Sequence, residues 1–393
     1  MSRIPLLIGG GGIGGLAAAI AATQAGLDVH VLEKAEEFGE IGAGLQLAPN
    51  ATRVLDRLGI WNDVRKAAMF PRALVMMDAV SGERLSSLDL GAKFLEHFGY
   101  PYIVMHRGDL LAAELADCRA NDRITLEANK EIVAIEDLGD GARVRCADGS
   151  AYDCDALVCA DGLWSRGRKL VYDDGDPICS GFVAYRGTVP IEEAPVDSDL
   201  ENMTLWVGPD MHFVQYQVHE GKLFNQVAVF RSHLYKAGHE YQDDWGTVEE
   251  MDAIFSKLCP RVQVAIAKIK RNRRWPMFDR LPIPNWTQNR ITLLGDAAHP
   301  MLQYVAQGAC QALEDAVCLG ENLGKHRNDP GQAFLDYQKS RIKRSAWVQR
   351  AARFFGEFKH LDGVGRLVRN ELLRKRDDND FQYFEVLYGC GQK

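Results

Sequence analysis

The stretch IPLLIGGGGIGGLAAAIAATQAGLDVHVLE, residues 4–33, determines the fold that this sequence predicts. Its apolar start (4–8) predicts a short buried strand, the small residues at 14–25 predict a helix, and residues 27–33 alternate as a second strand. A helix between two parallel strands is the usual beginning of a doubly wound α/β sheet. The sequence therefore predicts an α/β fold whose first domain starts at the N-terminal end.

The glycines between the first strand and the helix follow the GxGxxG pattern of dinucleotide-binding loops. Gly10 permits the tight turn, Gly12 lets the backbone approach a pyrophosphate, and Gly15 lets the helix pack closely on the strand. Glu33 stands at the end of the second strand, where a carboxylate accepts both ribose hydroxyls. We therefore expect a bound dinucleotide; the alternative is a glycine loop with a structural role alone.

Composition narrows the class of protein. The 393 residues are 47% hydrophobic and carry a net charge of −8, so no basic field favours nucleic acid or an anionic membrane as partner. The nine cysteines are scattered without CxxC or metal-ligand spacing, which predicts reduced thiols in a cytoplasmic protein and no metal site. No apolar run reaches transmembrane length, because glycines interrupt the N-terminal one.

Further along the chain, two kinds of pattern alternate. Helices are predicted at 49–58, 108–119, 247–269, 307–324 and 330–359, whereas short alternating segments predict a mostly antiparallel sheet. We expect three parts: a discontinuous nucleotide-binding domain (1–71, 106–176 and 285–330), a β-rich substrate domain (72–105 and 177–284) and a C-terminal helical segment (331–393).

Two later turns each place an acidic residue beside glycine after an apolar run. The first is Asp161 in CADGLWSRGR (159–168), and the second is Asp296 in LLGDAAHPMLQYVAQGACQALEDA (293–316). Each can bring a carboxylate and free backbone N–H groups to a strand end, where α/β sheets bind ligands. Either turn alone would be an ordinary acid-glycine turn. Together with the first loop, they indicate ligand-binding turns rather than ordinary ones.

The stretches GGGIGG, ADGLWSRGR and GDAAHP, with HRGDL at 106–110, resemble the signatures of the class A flavoprotein aromatic hydroxylases, the para-hydroxybenzoate and salicylate hydroxylase superfamily. The resemblance implies a Rossmann-like FAD-binding domain of the glutathione reductase type, with an inserted, mostly antiparallel β-sheet substrate domain. It also implies FAD as cofactor, NADH as transient electron donor, and a small aromatic acid and molecular oxygen as substrates. A homodimer is a further expectation from this resemblance.

By the same resemblance, individual residues receive roles toward FAD. Gln46 and Arg107 are expected along the middle of the cofactor, Asp161 beside it, and Asp296 at its ribityl and pyrophosphate region. The helix near 307–312 would stabilise negative charge on the reduced flavin. The residues expected to hold the ADP half are Gly10, Gly12, Ile13, Gly14, Gly15, Glu33 and Lys34.

Three residues are candidates for the catalytic site. Strand alternation in MHFVQY (211–216) puts His212 and Tyr216 on one face, and Gln303 stands where many relatives carry proline. Hydroxylation needs an electron-rich ring, and a base with a pKa near neutrality can form the phenolate. A structural His–Tyr pair and a tolerated loop substitution are the alternative interpretations.

The stretches GPDMHFVQY, WPMFDR, GDAAHPMLQY and HLDGVGRLVRNELLRKRD resemble the 3-hydroxybenzoate 6-hydroxylases within this superfamily. That resemblance implies His212 as base, Gln303 as hydrogen-bond partner of the substrate phenol and Tyr216 as the residue that orients the ring. It implies conversion of 3-hydroxybenzoate to gentisate (2,5-dihydroxybenzoate). Other possibilities are a salicylate 1-hydroxylase, a flavin reductase or oxidase, a nicotinamide dehydrogenase, and an FAD-binding regulator without activity.

Overall fold

The computed structural model describes residues 3–39 and 43–389. Its strands are β1 (Leu6–Gly9), β2 (Val29–Leu32), β3 (Gly44–Leu47), β4 (Ala73–Asp78), β5 (Arg84–Asp89), β6 (Ile103–His106), β7 (Ile124–Glu127), β8 (Ile132–Asp137), β9 (Ala142–Cys146), β10 (Ala151–Cys154), β11 (Leu157–Cys159), β12 (Ile178–Pro190), β13 (Met203–Gly208), β14 (Met211–Val218), β15 (Leu223–Arg231), β16 (Trp275–Asp279), β17 (Thr287–Gln288) and β18 (Ile291–Leu293).

The helices are α1 (Ile13–Gln24), α2 (Pro49–Leu58), α3 (Trp61–Ala67), α4 (Ala92–Phe98), α5 (Arg107–Ala120), α6 (Arg166–Val171), α7 (Val248–Phe255), α8 (Pro260–Ile266), α9 (Gly308–Lys325), α10 (Pro330–Lys359), α11 (Gly363–Arg374) and α12 (Glu385–Tyr388). Short 3-10 turns at Gly295–Ala297 and Gln303–Val305 precede α9. Among the described residues, no helix combines the length and apolar character that crossing a membrane requires.

The first sheet has six strands in the order β17-β18-β11-β1-β2-β7. Its strands run parallel, except for the edge pair β17 and β18. The predicted βαβ opening is therefore confirmed, and β11 and β18, which precede the two later acidic turns, extend the sheet beyond β1. Since β1, β11 and β18 are parallel neighbours, the three glycine-containing turns leave the same edge of one sheet.

The second sheet has seven strands in the order β16-β12-β15-β14-β13-β4-β5. Its pairs are antiparallel, apart from β13 and β4, so the prediction of a mostly antiparallel sheet is confirmed. Side chains of β14 alternate between two cores, as the sequence predicted. Val214 and Tyr216 pack with the core of the first sheet, whereas Met211 and Phe213 pack with α7 and α8 on the opposite face.

One helix prediction was wrong. The segment 247–269 forms two helices, α7 and α8, rather than one. Thr247 caps α7 through its side chain, and the helix ends before Ser256. Cys259 then adopts an extended conformation and Pro260 begins α8, because proline lacks the N–H that a continuous helix would need at this position. The break lets both helices cover the same face of the second sheet.

The α/β architecture predicted from the sequence is confirmed: a parallel nucleotide-binding sheet, a mostly antiparallel second sheet and a helical C-terminal part. The long helix α10 packs on α9, and α11 contacts β5 at the end of the second sheet. Arg366 on α11 forms an ion pair with the buried Asp78 at the end of β4. The C-terminal helices therefore connect the two sheets.

Candidate active site

The glycine loop between β1 and α1 has the geometry that its sequence predicted. Gly10 has a φ of +119°, and a Cβ atom there would lie 2.3 Å from the carbonyl oxygen of Ala160. A Cβ atom at Gly15 would lie 1.9 Å from the carbonyl oxygen of Gly10. Both glycines are therefore required by close backbone packing, and the contact with Ala160 joins the first loop to the turn that contains Asp161.

Gly12 differs from these two glycines because open space lies beside it. A Cβ atom at Gly12 would meet no atom within 4 Å. Gly12 is also the N-cap of α1, and no side chain of the described residues caps this helix. The first-turn N–H groups and the positive end of the helix dipole thus face a site suited to an anion. Ile13 is buried at the start of the helix, and Gly14 packs closely on Leu294.

Glu33 lies at the end of β2, next to the glycine loop. Its carboxylate accepts hydrogen bonds from the backbone N–H of Gly11 at 2.7 Å and of Ala35 at 2.9 Å. These two bonds fix the carboxylate and leave lone pairs on both oxygens for ribose hydroxyls. Lys34 follows it on the surface.

Asp161 lies in the turn after β11. One carboxylate oxygen accepts the backbone N–H groups of Arg166 at 2.8 Å and Gly167 at 3.3 Å, at the start of α6. The other oxygen is buried without a hydrogen-bond partner in the described part of the chain. A buried acceptor without a partner is costly, so this oxygen is suited to a donor group from a ligand.

Asp296 lies in the 3-10 turn after β18. Its side chain is accessible, although protein atoms surround it on most sides, as happens in a deep cleft. This restricted hydration raises the pKa of Asp296 above its usual value, against the opposing positive charges of His299 and Arg107. The structure thus brings Asp296 near Arg107, which begins α5 and donates its backbone N–H to Ala43 at 3.0 Å.

Gln46 lies on β3, which pairs with β6 in a separate two-stranded sheet. Its side-chain oxygen accepts the hydroxyl of Tyr102 at 2.6 Å. Burial raises the pKa of Tyr216 above its usual value, against a hydrogen bond from Gln46 that lowers it. Asn225, opposite Tyr216 on β15, accepts the backbone N–H of Gly44 at 2.8 Å. Gln46 and Tyr216 therefore meet where the two-stranded sheet of β3 and β6 contacts the second sheet.

The N-terminus of α9 lies against the same region. Its N-cap, Gln307, provides no side-chain cap, and a Cβ atom at Gly308 would meet no atom within 4 Å. Within the described residues, α1 and α9 pack side by side, with Gly14 of α1 close to Ala312 of α9. Two uncapped helix N-termini therefore belong to one site, each with open space beside its first residues.

His212 is buried on β14, and its ring contacts the turn that contains Gln303. The ring centroid lies 5.4 Å from that of Tyr304 in an edge-on arrangement, and Nδ1 lies 2.8 Å from Nε2 of His360. Gln303 itself is exposed. Burial lowers the pKa of His212 well below its usual value, and the charges of Lys359 and His360 add to this effect.

Several residues in this region were not anticipated from the sequence. His360 and Lys359 reach the site from the end of α10, and Asn225 reaches it from β15. The Lys359 ammonium donates to the carbonyl oxygen of Tyr304 at 2.7 Å. The pairing of β14 with β15 could have indicated Asn225. No local signal could have indicated His360 and Lys359, because they lie more than a hundred residues after His212 in sequence.

These features fit FAD. A long dinucleotide matches two helix N-termini at one sheet edge, the open space beside Gly12, the fixed carboxylate of Glu33 and the unpartnered oxygen of Asp161. The comparison with protein families agrees: the chain belongs to the family described as "FAD binding domain", whose model matches residues 3–354. FAD is therefore its cofactor.

The curated relatives make the class more specific. The chain is 40% identical over 386 residues to "3-hydroxybenzoate 6-hydroxylase 1" of Aquipseudomonas alcaligenes, covering 98% of this chain and 97% of that protein. It is 39% identical to the 3-hydroxybenzoate 6-hydroxylase of Polaromonas naphthalenivorans, covering 98% and 96% of the two chains. It is 34% identical to a 3-amino-4-hydroxybenzoate 2-monooxygenase of Streptomyces platensis, covering 92% and 90%. These relatives confirm the assignment to the flavin-dependent aromatic monooxygenases.

Solved structures agree on the fold. HpxO of Klebsiella pneumoniae, complexed with FAD and uric acid, matches with a TM-score of 0.84 and 26% identity, covering 98% of this chain and 96% of that one. A salicylate hydroxylase with its substrate matches with a TM-score of 0.81 and covers 98% and 95% of the two chains. At 24% identity, this second likeness defines the fold alone.

Proposed function

We propose that this protein converts 3-hydroxybenzoate to gentisate with FAD, NADH and molecular oxygen. The observation that carries the proposal is the position of His212, buried on the sheet that faces the FAD site and in contact with the turn after Asp296. The proposal also agrees with the relatives that share about two fifths of the sequence. One oxygen atom enters the ring para to the hydroxyl group, and the other leaves as water while NADH becomes NAD⁺.

Bound FAD would supply the redox chemistry, namely hydride acceptance from NADH and activation of oxygen for transfer to the ring. The residues of this chain prepare the substrate and the cofactor. His212 takes the phenol proton and makes the ring electron-rich, Gln303 bonds the phenol oxygen, and Tyr216 orients the ring. The Tyr216 hydroxyl lies beside Gly44 and Gln46 of β3, which supports an orienting role.

We expect residues of all three turns, those of Gly10, Asp161 and Asp296, to bind the cofactor. The loop of Gly10, Gly12 and Gly15 receives the pyrophosphate, and Glu33 receives the adenosine ribose. In this proposal Arg107 and Gln46 lie along the middle of the cofactor, Asp296 binds its ribityl and pyrophosphate region, and Asp161 lies beside it. The N-terminus of α9 stabilises negative charge on the reduced flavin. Helices and strands position these groups. The substrate, once bound, covers the site and excludes water.

We further propose a cytoplasmic homodimer that contacts its partner through the C-terminal segment. The outward face of α11 supports this proposal because Val364, Leu367, Val368 and Leu372 are 76%, 61%, 53% and 60% exposed. Light scattering of the purified protein, compared with a variant carrying Leu367→Lys and Leu372→Lys, tests the contact. A monomer at micromolar concentration in both proteins would contradict it.

The experiment that tests the activity offers 3-hydroxybenzoate, salicylate and 4-hydroxybenzoate in turn to the holoenzyme with NADH. Oxygen uptake and NADH oxidation are measured, and each product is identified by chromatography. We expect gentisate from 3-hydroxybenzoate, with oxygen consumption matched to product. Catechol from salicylate, with the meta isomer inert, would instead establish a salicylate 1-hydroxylase.

A further inference from the structure

The only side-chain hydrogen bond of His212 within the described residues goes to a second histidine. His212 Nδ1 lies 2.8 Å from His360 Nε2, and the two ring planes differ by 22° with centroids 5.1 Å apart, so the rings meet edge to edge. His212 is 2% exposed and His360 is 8% exposed, so the second ring lies nearer to solvent. The pair therefore forms a short path from the proposed substrate site toward the surface.

The surroundings of His360 hold its ring in place. The His360 ring stacks on Phe182 with centroids 4.6 Å apart, and it lies nearly perpendicular to the ring of Tyr304 with centroids 5.2 Å apart. The backbone carbonyl of His360 accepts the N–H of Asp210 at the β13–β14 turn, at 3.2 Å. With the ring fixed between β12 and the turn before α9, His360 keeps Nε2 directed at His212.

The role proposed for His212 fixes the direction of the bond between the two rings. To accept a proton from the phenol, His212 must present Nε2 without a proton, so Nδ1 carries the hydrogen and donates to His360 Nε2. A proton that arrived on His212 would create a buried cation beside Lys359. Burial disfavours this charge, and it lowers the pKa of His212 well below its usual value.

We propose that His360 is a positioning residue that relays the substrate proton: His212 passes its Nδ1 proton to His360, which releases one to solvent. This inference rests on the proposed function. The phenol O–H bond breaks and an N–H bond forms at His212 Nε2. The Nδ1–H bond of His212 then breaks as His360 Nε2 gains a proton, and His360 Nδ1 loses one to water. The reverse sequence returns a proton when product leaves.

The charges around His360 favour release of the proton. Burial lowers the pKa of His360 to about 3, and the positive charges of Lys359, Arg369 and Arg231 act in the same direction. The nearby acidic residue is Asp210, whose carboxylate already pairs with the Arg231 guanidinium at 3.8 Å. The titratable or charged groups that face His360 are His212 of β14, Arg231 of β15, Lys359 of α10, Arg369 of α11, Asp210 of the β13–β14 turn and Tyr304 before α9.

The test follows phenol ionisation when the oxidised holoenzyme is mixed rapidly with 3-hydroxybenzoate. Ultraviolet absorbance reports the phenolate, and a pH indicator reports the released proton. His360→Phe keeps the stacking on Phe182 without nitrogen atoms, and His360→Gln keeps a hydrogen-bonding group but cannot relay a proton. His326→Phe, at a partly exposed histidine paired with Asp336, is the matched control.

We expect proton release to slow about tenfold or more in both His360 variants, with FAD content unchanged and the control equal to wild type. Imidazole added to His360→Ala should restore part of the rate, and its effect should rise with pH as the free base forms. A wild-type rate in either His360→Phe or His360→Gln would overturn the relay. Wild-type enzyme that binds 3-hydroxybenzoate without ionising it would overturn the proposed role of His212 as well.

Discussion

The carboxylate of Asp315 accepts the backbone N–H of Gly295 at 3.1 Å and so fixes the turn that presents Asp296. The same carboxylate pairs with His299 and, at 2.6 Å, with Arg341 of α10. Burial alone would raise the pKa of Asp315, but His299 and Arg341 outweigh it and hold the pKa below its usual value. Asp315 therefore holds the turn that contains Asp296 in place, although it lies twenty positions after Gly295 in sequence.

Asp315→Asn should uncouple this turn from α10. Removing one partner of a buried ion pair leaves charges uncompensated, so the free energy of unfolding should fall by about 3–5 kcal/mol. FAD should be released at a lower temperature, as measured by flavin fluorescence during heating. The control is Glu321→Gln on the same helix, whose half-exposed pair with Arg57 should contribute about 1 kcal/mol or less. Equal effects of both substitutions would contradict the account.

Gly12→Ala should separate cofactor binding from folding. The space beside Gly12 is open, so the apoprotein should fold and lose about 1 kcal/mol at most. The added methyl group occupies the approach of the pyrophosphate, so titration of FAD into apoprotein should give a much weaker affinity. Gly10→Ala is the contrasting variant, since its Cβ would collide with Ala160 and prevent folding. Wild-type affinity in Gly12→Ala would place the pyrophosphate elsewhere.

His212→Ala should remove the proposed base without removing the cofactor. A positioned base contributes about 10²–10⁴-fold to rate, so product formation from 3-hydroxybenzoate should fall by about a hundredfold or more. FAD content and the melting temperature of the holoenzyme indicate whether the site remains intact. His233→Ala, at an exposed histidine near the end of the same sheet, should retain full activity. A turnover number within a factor of about two of wild type would exclude His212 as base.

Gln303→Pro should preserve the fold and change the chemistry. Leu302 already has φ −63° and ψ 144°, the conformation that a residue before proline prefers. The substitution removes two donors and one acceptor from the turn that contacts His212. We expect full FAD content but less gentisate per NADH oxidised, with hydrogen peroxide making up the difference. Unchanged coupling of NADH oxidation to product would assign Gln303 to the tolerated loop substitutions.

Because of Lys359, the free energy of unfolding should rise as pH increases into the alkaline range. Burial lowers its pKa to about 7 from an ordinary value of 10.5, so between these values the unfolded chain binds the additional proton. Burial of this lysine therefore lowers the free energy of unfolding by its full amount below about pH 7. The free energy of unfolding then rises with pH up to the ordinary pKa, by at most about 1.4 kcal/mol per pH unit. Lys359→Met should flatten the rise in unfolding free energy across this window, whereas Lys66→Met, at an exposed lysine, should not. Parallel pH profiles in the wild type and Lys359→Met would contradict the burial of a charge there.

The sequence predicted the parts of the fold that local patterns encode. Glycine spacing, apolar runs and strand alternation were enough for β1, α1 and β2, for the parallel strands β11 and β18, and for the two faces of β14. The break between α7 and α8 was missed because the apolar spacing continues through Pro260. A proline inside such a pattern should have ended the helix prediction.

The contacts of His212 could not be predicted in the same way. His360 lies 148 residues later in sequence, and only the packing of α10 against the second sheet brings the two rings together. Likewise, Glu314 gives no sign in sequence of its two arginine partners. Arg341 and Arg344 outweigh burial and lower the pKa of Glu314 to about 2. Such pairs depend on tertiary packing, whereas the glycine loop depends on backbone geometry that neighbouring residues encode.

The proposed reaction is tested by supplying the holoenzyme with 3-hydroxybenzoate, NADH and isotopically heavy molecular oxygen, and identifying the product by mass spectrometry. We expect gentisate with one heavy oxygen atom, bonded at the ring carbon para to the original hydroxyl group. NADH oxidation without a labelled aromatic product, or a label at another ring position, would contradict it.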